Sequence, residues 1–318
     1  MKYLITTFFL FASVLSFAQL QWKNVDSLFG PLPKSVHVYF TNQAIDTSPF
    51  KAYYVIAELK DKKLDFTTDT TLNRRFTPMQ FFEKNQQPLL VVNGTFFSFE
   101  TNRNLNVVVS KGNLVSYNVP SMKQKKGDTA MDIPIYRSAI GLDKKRNADI
   151  AWIKTDSVRK MAFANQYPTG VKGNLRAADK STGETIQWRA DNFLPWKMQT
   201  AIGGGPVIVQ NGDVRITNEY EKMFTGKAIN DKHPRTAMGY TKDNKLIILV
   251  IEGRTKESGG ATLVQESQIL KDVGCIEALN LDGGGSSCLL INGKETIKPS
   301  DAKGQRPVPA VFMILQKK

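Results

Sequence analysis

A chain of 318 residues and 35.5 kDa, 41% hydrophobic and 23% charged, has the balance of a folded globular protein and excludes a disordered or fibrous one. At roughly 100–200 residues per domain the length allows one large domain or two modest ones. The formal charge of +14 at pH 7 favours anionic partners, but the basic residues lie in short scattered clusters such as Lys144-Lys145-Arg146. With no concentrated basic stripe interleaved with aromatics, nucleic acid is not an expected partner.

Residues 1–18 have the pattern of a secretory signal peptide: Met1-Lys2-Tyr3, an apolar run from Leu4 to Leu15, and the small-residue ending Ser16-Phe17-Ala18 before Gln19. The run is shorter than the ~20 residues a bilayer span needs, and later apolar runs have strand length. The expected product is therefore exported, periplasmic or extracellular, with no membrane span after cleavage. No cysteine stands at the cleavage point, which argues against a lipoprotein. Cys275, Cys288, His37 and His233 are too few and too badly spaced for a structural zinc cluster. Export would permit a Cys275–Cys288 disulfide, but both lie in apolar strand-like sequence, where buried free thiols are common.

Residues 19–87 read as a β-rich N-terminal extension, with strand-like runs at Val36-His37-Val38-Tyr39-Phe40 and from Ala52 to Leu59 and no chemical motif. No low-complexity linker follows, so this part is expected to pack on residues 88–318. There Leu89-Leu90-Val91-Val92 leads into Asn93-Gly94-Thr95-Phe96-Phe97, and Ala201-Ile202 leads into Gly203-Gly204-Gly205-Pro206. Asn-Gly turns at Asn211-Gly212 and Asn292-Gly293 directly follow apolar runs, a strong hairpin signal. His233-Pro234-Arg235-Thr236-Ala237 precedes a strand from Met238. Arg235 could hold an oxyanion through its planar fork, or make a structural ion pair.

The run Leu246 to Ile251 predicts a strand covered on both faces, ending in Glu252-Gly253-Arg254. A helix follows: Thr262 with Gln265 forms a capping box, Leu263, Leu270 and Val273 recur at helical spacing, and Gly274 supplies the stop. Ile276 to Leu281 reads as a second strand ending in Asp282. Such a strand-helix-strand unit joins parallel strands, and their carboxyl ends should gather Glu252, Arg254 and Asp282 at one edge. Glu266 lies close to the helix face that packs on the sheet, where an unpaired carboxylate is costly. A buried ion pair and an active-site role explain it equally.

Asp282-Gly283-Gly284-Gly285-Ser286-Ser287 is a strand end running into a glycine-rich loop whose N–H groups can converge on an anionic oxygen, or which merely bends tightly between strands. It is neither a nucleotide-hydrolase phosphate loop nor a dinucleotide fingerprint, since Gly-Lys-Ser/Thr is absent and a strand, Cys288 to Ile291, comes next. Ser286 or Ser287 as a nucleophile has weak support, with His233 as the only suitable base besides His37. The fold class expected is α+β, a mixed, largely antiparallel sheet core with the strand-helix-strand unit near the C-terminus.

Taken together, these segments resemble the phosphodiester glycosidase family over about Pro88 to Leu315. The sharpest element is Ala278-Leu279-Asn280-Leu281-Asp282-Gly283-Gly284-Gly285-Ser286-Ser287, supported by Asn93-Gly94 with Phe96, Gly203-Gly204-Gly205-Pro206, Pro234-Arg235-Thr236-Ala237-Met238-Gly239, Gly253-Arg254 with Gly259 and Glu266, and Arg306-Pro307-Val308. The chain departs from the pattern at Glu252, where Asp is usual, and at Thr95, where a second Gly is common. The resemblance implies a hydrolase that releases a sugar from a sugar 1-phosphodiester, acting on phosphorylated or anionic glycans. Asp282 and Glu266 are then the nucleophile or base and the stabiliser of charge on the sugar, and Arg235 and Arg254 stabilise the departing phosphate. Asn93, Gly204, Gly205, Glu252, Gly283, Gly284, Ser286, Ser287 and His233 would line the substrate site. No cofactor is required; Ca²⁺ or Mg²⁺ at Asp282 is compatible with the residues but no metal-loop motif supports it. The rival reading is a non-catalytic envelope protein that binds anionic glycans or exopolysaccharide in the same cleft.

Overall fold

The computed structural model describes residues 19–126, 129–168, 176–178, 185–187 and 193–317; the expected signal peptide lies outside them. Three sheets carry the molecule, and every strand pair in them is antiparallel. The chain is thus α+β and dominated by antiparallel sheet. The eight-stranded sheet has at its centre Ala52–Glu58, Lys245–Ile251, Arg235–Thr241 and Cys275–Asn280, in that order. In the seven-stranded sheet Arg137–Leu142 stands between Ala148–Asp156 and Thr200–Gly203. The five-stranded sheet places Leu90–Asn93 between Leu289–Ile291 and Ala310–Gln316.

The helix Leu263–Asp272 forms as its capping signals require: Thr262 Oγ1 accepts from Gln265 N and Gln265 Oε1 from Thr262 N, at 3.1 and 2.9 Å. It joins Lys245–Ile251 to Cys275–Asn280, which run parallel to each other but are not neighbours. Arg235–Thr241 lies between them, antiparallel to both. The interposed strand brings its own start, Arg235, to the edge where the other two end, so residues from three strands share that edge.

Lys245–Ile251 is buried on both faces as its unbroken apolar run predicts. Leu246, Ile248 and Val250 face a core shared with Trp152 and Ile202 of the seven-stranded sheet and Leu90 and Phe312 of the five-stranded one. Ile247, Leu249 and Ile251 face the helix through Leu263, Ile269 and Leu270. The N-terminal strands are built into this frame: Ala52–Glu58 pairs with Lys245–Ile251 along seven residues, and Leu64–Thr70 with Ala310–Gln316 likewise. Both Asn-Gly turns form hairpins with left-handed backbone at Asn211, Gly212, Asn292 and Gly293. Cys275 and Cys288 are buried free thiols, raised in pKa by burial.

Candidate active site

Asn93 is the knot that assembles the site. Fully buried at the end of its strand, it accepts at Oδ1 from Thr236 Oγ1 (2.9 Å) and Cys288 N (3.0 Å) and donates from Nδ2 to the Asp282 carbonyl (2.5 Å). Asp282 N in turn donates to the Gly94 carbonyl at 3.0 Å. One side chain thus fixes three segments that the chain brings from far apart. Ser287 is held in the same knot, its hydroxyl 3.2 Å from Thr236 Oγ1.

The glycine loop is shaped by close approach. Gly284 N donates to the Pro234 carbonyl at 2.8 Å, and a Cβ on Gly283 would stand 2.8 Å from that oxygen. Gly204 packs against Asn280, whose carbonyl lies 2.5 Å from where its Cβ would be. Two guanidiniums flank the loop: Arg254 lies against Gly284 and Arg306 against Gly285. Arg254 is exposed, and its Nη2 donates to His233 Nδ1 at 3.2 Å. Burial, with Arg235 and Arg254 nearby, lowers the His233 pKa and so favours the neutral ring that can accept this bond. Arg306 is held by an ion pair with Asp301 at 2.8 Å.

Asp282, at the head of this loop, lies within reach of the Arg306 charge. Its residue surface is half-buried, and burial raises its pKa to about 7 against the opposing effects of Ser286, Arg306 and the Gly283 amide. The Ser286 hydroxyl is buried beside it without a well-formed hydrogen bond. Such a carboxyl is poised to exchange protons near neutrality. Among the described residues no group of three or more carboxylate, thiol or imidazole side chains could hold a metal ion.

A model of the phosphodiester glycosidase family matches residues 86–315. The chain belongs to this family. Two similar curated proteins are N-acetylglucosamine-1-phosphodiester alpha-N-acetylglucosaminidase of Mus musculus, 32% identical over 102 residues (30% of this chain, 20% of the relative), and SPbeta prophage-derived uncharacterized protein YomE of Bacillus subtilis (strain 168), 40% identical over 80 residues (25% and 12%). The matched stretches thus take in a fifth or less of these relatives' length. The catalytic domain of the zebrafish N-acetylglucosamine-1-phosphodiester alpha-N-acetylglucosaminidase, auto-inhibited by its pro-peptide, shares the fold at a TM-score of 0.62 and 18% identity, covering 94% of this chain and 89% of that one. A hypothetical protein from Synechocystis gives 0.61 and 15%, covering 93% and 64%.

The remaining residues singled out in the sequence are more deeply enclosed. Arg235, 3% exposed, donates from Nε to the Ala261 carbonyl (3.0 Å) and from Nη2 to that of Asp231 (3.2 Å), with its guanidinium over the Phe224 ring. Glu266 is completely enclosed and neither oxygen has a hydrogen-bond partner. Burial raises its pKa to about 8, offset in part by the charge of Arg235. Glu252 is buried too, but both oxygens are taken: Lys51 Nζ (3.0 Å) and Lys298 N (2.9 Å) at Oε2, and Thr255 Oγ1 (3.1 Å) at Oε1. It anchors the loop after its strand. Gly205 backs onto Glu221, a buried carboxyl held by Ser138, Val207 and Thr217.

Two residues escaped the sequence reading of the site. Arg306 is legible only as Arg-Pro-Val near the C-terminus, with nothing local to say that it reaches Gly285. Glu221 lies in the short helix Asn218–Glu221, where an acid reads as solvated surface.

Proposed function

We propose that this chain is an exported hydrolase that releases a sugar from a sugar 1-phosphodiester. The observation that carries the reading is the Asp282 carboxyl, on a half-buried residue and with its pKa raised to about 7, beside a glycine loop flanked by two guanidiniums. A phosphodiester laid on that loop would have Arg254 and Arg306 on either side of its charge and its anomeric carbon toward Asp282. The leaving group is a phosphate monoester, so strong protonation by an acid is less needed than stabilisation of developing negative charge. The C1–O bond breaks with its electron pair going to the phosphate. Asp282, ionised, either attacks C1 or takes the proton of the water that does.

In this proposal the phosphate contacts pass to Arg254 and Arg306, because Arg235 is enclosed and bonded to backbone carbonyls. Arg235 and Glu266 form a buried layer that supports the edge, and His233 positions Arg254. The N-terminal segment supports export, and among the described residues no helix is long and apolar enough to cross a membrane.

Hydrolysis of a sugar 1-phosphodiester in ¹⁸O-water tests the reading. Label in the released sugar shows C1–O cleavage, as proposed. Label in the phosphate would make the protein a phosphodiesterase of another kind, and retention of an unchanged diester would favour the glycan-binding rival.

A further inference from the structure

At the far end of the seven-stranded sheet is a groove of about 590 Å³. Lys144, Lys145, Lys160 and Lys197 stand around it, all exposed, over a floor that includes Met161, Trp196 and Met198. A second cleft of about 210 Å³ shares Asp143, Lys144 and Gln199 with it and adds Lys111. Among the described residues none of these five ammonium groups lies within ion-pair distance of a carboxylate. The acid they share, Asp143, is engaged by Asn147, whose N and Nδ2 both donate to it at 2.9 Å. A further ammonium, Lys60, is drawn onto the same hairpin through the Lys145 carbonyl (2.8 Å) and Asn147 Oδ1 (2.7 Å). Five ammonium groups against the two lining acids, Asp143 and Asp65, raise the local potential and attract an extended anion.

We propose that this groove and its continuation bind a polyanionic glycan chain at a site separate from the Asp282 cleft. The lining decides the class. Trp196 has its ring buried and its indole N–H bonded to Asp149 Oδ2 at 2.6 Å, so the groove offers no aromatic platform on which bases could stack. The Arg146 guanidinium is spent on the carbonyls of Leu59, Asp61 and Leu64. What remains are lysines, flexible point charges that accept carboxylate, sulfate or phosphate groups spaced along a chain without demanding one geometry. Position gives the site a use. Gln199 lines the groove, Thr200–Gly203 leads away from it, and Gly204 follows at the glycine-lined edge. At about 3.3 Å per residue, five residues of extended strand put the two places roughly 17 Å apart. A chain held at one end of this strand would keep its linkages concentrated near the other.

The test compares the full chain with the variant Lys144→Ser/Lys145→Ser/Lys160→Ser/Lys197→Ser, and with a charge-matched control, Lys23→Ser/Lys34→Ser/Lys227→Ser/Lys317→Ser. Binding of chondroitin sulfate, polygalacturonate and a single-stranded oligonucleotide is titrated at several salt concentrations. The expected result is salt-sensitive binding of at least one of the two glycans that weakens on the order of tenfold in the groove variant, with a shallower salt dependence, and stays near wild type in the control. Equal weakening in both variants would reduce the effect to net charge and overturn the site. So would absence of glycan binding by the wild type at low salt. An oligonucleotide bound more tightly than either glycan would overturn the class of ligand. None of these outcomes depends on turnover at Asp282, so loss of the hydrolase reading would be seen separately.

Discussion

Asp282 and Glu266 carry raised pKa values for the same first reason, burial, yet their surroundings give them different work. The Asp282 carboxyl belongs to a half-buried residue with the Arg306 charge near; Glu266 is sealed, with only the charge of Arg235 near. For Asp282 acting as base or nucleophile, kcat/KM should rise as pH passes through about 7 and level off above it, because the ionised form does the work. A profile that falls through that range would assign it an acid's role. Both groups also link stability to pH. In the unfolded chain they ionise near pH 4, whereas in the folded protein they hold their protons to about 7 and 8. Stability is therefore fully present below about pH 4 and declines as pH rises through the folded values. Glu266→Gln should melt with wild type at pH 4 and above it at pH 9, by about 2–4 °C for each kcal/mol of removed cost. It should keep turnover within about tenfold at pH 7, where Glu266 is still mostly protonated. A Glu266→Gln variant that is no more stable at pH 9 would contradict this account of the buried carboxyl.

At the scale of elements, the parts readable in the sequence are those set by local chemistry. The capping box at Thr262 and Gln265, the left-handed Asn-Gly turns and the doubly buried run Leu246 to Ile251 each need only their own neighbours to be recognised. The order of strands is decided by long-range pairing, which local pattern does not carry. Nothing in Lys245 to Asp282 announces that Arg235–Thr241 will slide between its two strands. For the same reason Asp282, Arg254 and the glycine loop were legible as a strand-end cluster, while Arg306 and the buried settings of Arg235 and Glu252 were not. The fit of Gly285 to Arg306 gives a test at this scale. A Cβ there would stand 2.2 Å from a guanidinium nitrogen, so Gly285→Ala must push Arg306 aside. KM for a phosphodiester should rise while the far-ultraviolet circular dichroism stays native; unchanged KM would remove Arg306 from substrate binding. At the same edge, next to the Ala261 carbonyl that Arg235 bonds, Thr262→Ala should cost about 1 kcal/mol of stability, measured by urea unfolding, through loss of the cap.

Across the whole molecule, the family match begins at residue 86, yet the strands before it are structural members of the same sheets. Ala52–Glu58 covers the flank of Lys245–Ile251, and Leu64–Thr70 completes the pairing of Ala310–Gln316. A chain that starts at residue 86 should therefore expose two long apolar strand edges and fail to give a cooperative melt or a dispersed NMR spectrum. A truncated chain that folds would make residues 19–85 an independent addition. The central claim concerns chemistry at Asp282, and the most direct measurement is release of reducing sugar from a panel of sugar 1-phosphodiesters by the full chain and by Asp282→Asn, with analogue binding and Tm followed in parallel. The account predicts turnover of at least one diester by the wild type and a loss of about 10²-fold or more in the variant, with binding and folding retained. Full activity in Asp282→Asn, or no turnover of any diester by a folded wild type that binds them, would contradict it.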